Sequence, residues 1–144
     1  MILNTTYSNK ENSELINDLV GKPFSLLNAI KLGGIGSKRI IIKDTSPNMS
    51  TYLNLVSDIN YANIELRPGG ILIRINRGLD NFTWIIPYYH LVIYKTDGSS
   101  IHAQGKYIRF INNILFKENK KFFNKLLDMK IQYDIDFQSP TMSM

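Results

Sequence analysis

The chain has 144 residues, 44% of them hydrophobic and 20% charged, with a formal net charge of +5 and no cysteine. That length suits one domain and lets folding bury roughly 70% of the unfolded chain's surface, so a disordered segment or a stapled mini-fold is excluded. The lack of cysteine excludes disulfides, thiolate metal sites and cysteine nucleophiles, and it fits a reducing, cytoplasmic setting.

Met1 to Lys10 carry no basic-then-apolar leader. No apolar run approaches the roughly 20 residues that cross a bilayer, so no transmembrane segment is expected. Asn-x-Ser/Thr triplets begin at Asn4, Asn48 and Asn81, and without a leader they are read as chance. Charge is uneven. Residues 1–66 hold six basic and six acidic side chains, residues 67–130 hold 11 basic and four acidic, and residues 131–144 hold two acidic. The basic excess falls on the strand-rich middle and the helix that follows it. A solvated basic face explains this as well as an anionic partner does.

Ser8 and Glu11 have capping-box spacing, and Leu15, Ile16, Leu19 and Val20 follow at helical intervals, with Gly21 as the stop. Phe24 to Leu32 offers a second short helix with Leu26, Leu27 and Ile30 on one side, ended by Gly33-Gly34. Arg39-Ile40-Ile41-Ile42, between Lys38 and Lys43, predicts a first strand. In residues 45–61, the apolar Tyr52, Leu53, Leu55, Val56 and Ile59 suit a short helix without deciding it. From Ala62 the period becomes two, as on a half-buried strand, through Ile64 and Leu66. Pro68-Gly69 turns the chain into Ile71, Ile73 and Ile75. After a second turn at residues 78–81, Phe82, Trp84 and Ile86 share a face. Pro87 lacks an N–H for the ladder and must end, bend or bulge that strand. Leu91-Val92-Ile93-Tyr94, apolar on both faces, predicts a buried central strand. The Asp97-Gly98 hairpin turn leads into Ser99–Ala103, and Gly105 turns the chain into Lys106–Ile111. A helix from about Phe116 to Lys130 would bury Phe122, Phe123, Leu126, Leu127 and Ile131. The chain is expected to be loose from residue 135.

From Gly70 to Ile131 this order of features resembles the bacterial pleckstrin-homology-like (PH-like) domains. The residues that carry the likeness are Gly70-Ile71-Leu72-Ile73, Ile85-Ile86-Pro87-Tyr88, Asp97-Gly98, Lys106-Tyr107-Ile108-Arg109-Phe110, and the helix with Phe122, Phe123 and Leu126. The resemblance implies an α+β fold: a strongly bent antiparallel sheet or partly open barrel of about seven strands, closed by a C-terminal amphipathic helix. Residues 37–134 would form that unit and residues 1–36 a helical addition, in one domain. It also implies a binding or scaffolding module more often than an enzyme.

Ser100 and His102 look like a nucleophile beside a base. Two residues along a strand is roughly 6.6 Å, beyond the hydrogen-bond reach that activation needs, so a polar strand face is expected instead. His90 reads as a hydrogen-bonded edge residue. With no cysteine and no second histidine at ligand spacing, neither metal nor cofactor is expected. Gly33-Gly34-Ile35-Gly36-Ser37-Lys38 lacks the phosphate-loop spacing, since Lys31 stands where a glycine is required, and it is read as a helix stop. Anionic-lipid headgroup binding would draw on Arg74, Arg77, Lys106 and Arg109. At about 1 kcal/mol each, four such residues reach only millimolar affinity. Nucleic acid is disfavoured, because Tyr107 and Phe110 have opposite strand parity and cannot share a stacking platform. Trp84, Tyr88, Tyr89 and His90 bring aromatics to a strand interruption and form the candidate protein-contact surface, while aromatic burial favours the alternative in which these rings pack inward as the corner of the barrel. The expected function is a non-enzymatic interaction domain that contacts protein. A lipid-headgroup module, or a small-ligand or enzymatic pocket at His90 and His102, are the alternatives.

Overall fold

The computed structural model describes residues 1–7, 9–54 and 59–142. Its elements in chain order are β1 (Ile2–Asn4), α1 (Lys10–Val20), α2 (Leu26–Lys31), β2 (Ile40–Thr45), β3 (Tyr61–Arg67), β4 (Gly70–Arg77), β5 (Asp80–Pro87), β6 (Val92–Tyr94), β7 (Ser100–Ala103), β8 (Lys106–Phe110), α3 (Ile114–Glu118) and α4 (Lys120–Met142). Short 3-10 segments, Pro47–Tyr52 and Tyr88–His90, fall before β3 and after β5. The architecture is α+β. All eight strands form one antiparallel sheet in the order β1-β5-β4-β3-β2-β8-β7-β6.

Turn chemistry sets the registers. Pro68-Gly69 links the paired Arg67 and Gly70, and Gln104-Gly105, with φ of 49° and 78°, links Ala103 and Lys106. Two consecutive positive φ values match the right-handed twist of the flanking strands. β2 serves both halves of the sheet. Ile40 and Ile41 pair with β3, and Ile42, Asp44 and Thr45 pair with β8, with a register shift between Ile42 and Asp44. Pro87 does end β5, and the 3-10 turn after it leads the chain away, so β6 pairs with β7 and not with β5. The sheet is therefore open, with the three-residue strands β1 and β6 as its edges, where the resemblance implies strong bending or a partly open barrel. The eighth strand is β1, too short to show a period.

One face of the sheet carries the main core. Ile64, Ile73, Trp84, Ile101, Ile108 and Phe110 pack there against Phe122, Phe123 and Leu126 of α4. On the opposite face, Ile16 and Val20 of α1 cover Leu72 and Ile85. Gly70 permits this closeness, since a Cβ there would overlap the Ile86 carbonyl and the Val20 side chain. α1 begins at Asn9, whose side chain accepts from the Glu11 and Asn12 N–H groups. The expected cap Ser8 lies outside the described residues, as do Leu55 and Val56. α2 forms as expected under the Ser25 cap, but Leu26, Leu27 and Ile30 are all exposed.

Two expectations about the C-terminus change. The helix is broken at buried Asn119, whose Nδ2 donates to Leu115 O at 2.9 Å and whose Oδ1 accepts from Lys38 N at 2.8 Å. That side chain ties the elbow to the strand layer. Helix α4 then continues to Met142, where a loose tail was expected from residue 135. Pairs four residues apart support the extension: Lys130 with Asp134 at 2.9 Å, Gln132 with Asp136 at 2.8 Å, and stacked Tyr133 and Phe137. Among the described residues no helix is long and apolar enough to cross a membrane.

Candidate functional site

The expected contact surface divides in two. Trp84 and Tyr88 are each 1% exposed and belong to the core. Both lie on the layer that faces α4, so the strand interruption turns these rings inward. The Tyr88 hydroxyl donates to Arg67 O at 3.2 Å, its ring lies against Tyr133, and burial pushes its pKa far up. Tyr89, at 62% exposure, and half-buried His90 remain at the surface. Their rings are 4.3 Å apart, and His90 Nε2 lies 3.2 Å from the Gln104 amide nitrogen.

The run Leu91-Val92-Ile93-Tyr94 is not a central strand. Leu91 is buried, but β6 is an edge, and Val92 and Tyr94 are 46% and 52% exposed. An apolar run on both faces signals burial on both faces only when neighbour strands flank it and a layer covers each side. β6 has a neighbour, β7, on one side alone, and among the described residues nothing covers Val92 and Tyr94. Its outward side chains continue across β7 and β8. Val92 pairs with His102 and then Tyr107, and Tyr94 pairs with Ser100 and then Arg109. This register assembles a surface of rings. Tyr94 meets His102 edge-on at 4.8 Å, His102 stacks on Tyr107 at 5.2 Å, and the Arg109 guanidinium lies 4.8 Å over Tyr107. Sequence reasoning missed this cluster because its members sit on three strands. Cross-strand register brings them together, and it is invisible until pairing is known.

Ser100 and His102 do meet. Ser100 Oγ is 3.1 Å from His102 Nε2. The strand rise separates backbones, whereas two side chains on one face lean toward each other across that gap. Burial, and then the charge of Arg109, lower the His102 pKa from its ordinary 6.5, which favours the neutral ring. A neutral ring can accept the serine proton, but among the described residues no carboxylate holds its other nitrogen. His90 and His102 also line one open hollow of about 340 Å³, with Gln104, Lys106 and Tyr107.

The proposed anion contacts do not converge. Arg74 lies on the α1 side of the sheet, with Nη1 2.8 Å from Glu65, and Arg77 pairs with Asp80 at the far end of β4. Arg109 faces outward beside Asp44, while Lys106 has the opposite strand parity. Glu65 also binds buried Arg67 at 2.5 Å, and Arg67 reaches on to Asn17 and Gly21. Burial alone would raise the Glu65 pKa; the hydrogen bond from Arg67 and the charge of Arg74 outweigh it and hold the carboxyl below its usual range.

Gly33 and Gly34 stop α2, as expected. Their N–H groups bond Ile30 O and Ala29 O, which leaves neither for a phosphate. Tyr107 and Phe110 lie on opposite faces, Phe110 in the core. Compared with known protein families, with curated proteins and with solved structures, the chain matches none.

Proposed function

We propose that this chain is a non-enzymatic interaction domain that binds another protein along the β6 edge and the ring-bearing outer face of β6, β7 and β8. The observation that carries this reading is β6 itself. It is a strand with the composition of a doubly covered one, lying at an edge with Val92 and Tyr94 exposed. Edge strands offer unpaired backbone groups to an added strand, and aromatic side chains beside them supply specific anchors. Tyr89 extends the same surface.

The PH-like scaffold is part of the proposal. It is supported by the two antiparallel meanders β2 to β5 and β6 to β8, by β2 pairing with both β3 and β8, and by the helix α4 that closes the core. A cytoplasmic setting is supported by the absence of cysteine.

The test is photo-crosslinking from position 94 in the cell of origin, with position 79 as control, since Leu79 is an equally apolar but fully exposed turn residue. A discrete protein adduct from position 94 alone, lost on Val92→Glu, is the expected result. Equal yields from both positions would overturn the reading.

The second reading is a small-ligand or catalytic role for the His90–His102 hollow, favoured by the Ser100–His102 contact. It requires that a captured small molecule be released by His102→Gln; retention of the molecule by that variant eliminates it. Headgroup binding by Arg74, Arg77, Lys106 and Arg109 has less support, because three of the four already face carboxylates.

A further inference from the structure

Three of the eleven basic residues of 67–130 gather at a place unrelated to those four residues. A hollow of about 290 Å³ lies between the β6–β7 loop and the elbow of α3 and α4. Its apolar wall is Phe116, Phe123 and Leu127, and Lys95, Lys117 and Lys120 also line it. All three lysines are exposed, and none has an ion-pair partner among the described residues. The acid nearest in the loop, Asp97, turns to the other side and meets Lys43 at 3.6 Å.

The walls are held in place. Asp97 and Gly98 have φ of 46° and 90°, and a Cβ on Gly98 would come within 3.1 Å of Phe110 O and 3.3 Å of the Asn112 Cβ. The loop that carries Lys95 is thus pressed against the segment leading into α3. Phe116 and Phe123 are packed at 4.9 Å.

From this geometry we infer that the hollow binds a small amphiphilic anion, a carboxylate on an unbranched apolar chain. A bare anion would satisfy the ammonium groups and leave the aromatic wall wet. An uncharged apolar molecule would cover the wall and leave three positive charges together. Only a ligand with both parts meets both demands. At about 290 Å³ the hollow is at the lower limit of sites for small molecules, which run from roughly 300 Å³. This site stands apart from the β6 outer face, on the opposite side of the β6–β7 loop.

Decanoate is the probe, with decanol and acetate as the two half-ligands, titrated against the whole chain and followed by amide NMR shifts. Decanoate is expected to saturate at one molecule per chain and to shift residues 95–99 and 116–127. Lys117→Met and Lys120→Met keep an apolar stem, and each is expected to weaken binding about fivefold, as one surface ammonium near an anion does. Decanol binding as tightly as decanoate would reduce the hollow to an apolar patch, and acetate binding as tightly would reduce it to a charge cluster. Either result overturns the inference, as does absence of a saturable shift. Sedimentation with anionic vesicles, together with no response to decanoate, would assign the lysines to a membrane surface and overturn it too. The variant Val92→Glu should leave decanoate binding unchanged, which separates this result from the fate of the β6 surface.

Discussion

Strands β3, β4 and β5 and strands β6, β7 and β8 belong to one sheet but bury their faces differently. β4 and β5 carry Leu72 and Ile85 toward α1 and Ile73, Trp84 and Ile86 toward the main core, so both faces are covered. β7 and β8 bury Ile101 and Ile108 on one side and present Ser100, His102, Tyr107 and Arg109 on the other. The lesson is that a residue's hydrophobicity has no fixed meaning across the sheet. Ile85 and Val92 are both apolar and both in strands, yet only the first has a helix over it.

The largest test of that difference is Trp84→Ala, which removes a ring 1% exposed in the covered half. A loss of about 3–5 kcal/mol is expected in denaturant unfolding. A loss below about 1 kcal/mol would show that the covered half is poorly packed. Next comes Arg67→Ala, which strips Glu65 of its closest partner beneath α1. It should cost about 2 kcal/mol at neutral pH, because a mostly buried carboxylate is left short of donors.

The pH profile sharpens this second test. The Glu65 carboxyl is held below its ordinary value of 4.5 in the folded state, so the native state binds this proton less readily than the unfolded one. Its stabilisation is therefore full above about pH 4.5 and is lost as pH falls through the lower folded value. Unfolding midpoints from pH 7 to 3 should fall steeply in the native chain and less so in Glu65→Gln. Parallel curves would contradict the ion-pair account.

On the open half the expected effects are small. Tyr94→Ala should change stability by no more than about 0.5 kcal/mol, since its ring faces solvent. A loss as large as that of Trp84→Ala would mean that the outer face is not free. Smallest of all, Arg109→Gln should raise the His102 pKa toward 6.5 without unfolding the chain, since one of two lowering influences is removed. An unchanged imidazole titration by NMR would show that burial acts alone.

Much of the local structure was legible in the residues. The alternation of Ile71, Ile73 and Ile75, the turns at Pro68-Gly69 and Gly105 and the stop at Pro87 encode elements that form where they were expected. The stripe of Phe122, Phe123 and Leu126 is buried, although its helix breaks at Asn119, runs on to Met142 and leaves Ile131 exposed. Each depends on nearest neighbours and on backbone preferences that act within a few residues. The candidate sites were less legible. The residues allowed Trp84 and Tyr88 either a contact surface or the core, and they are core; strand parity says that two side chains share a face but not which face is inside. Ser100 and His102 were expected apart and are bonded, because side-chain lean is not contained in a backbone rise.

Sequence by itself determined an α+β chain of short antiparallel strands, its hairpin turns and a basic closing helix, since period and turn chemistry are local properties. Only the tertiary structure decided that β6 is an edge, that α1 covers the back of β4 and β5, and that three rings from three strands meet outside. It also decided that Lys95 joins Lys117 and Lys120 over one apolar hollow. Those outcomes depend on which strands pair and which faces remain uncovered, and pairing between distant residues is settled by the burial of the whole chain at once.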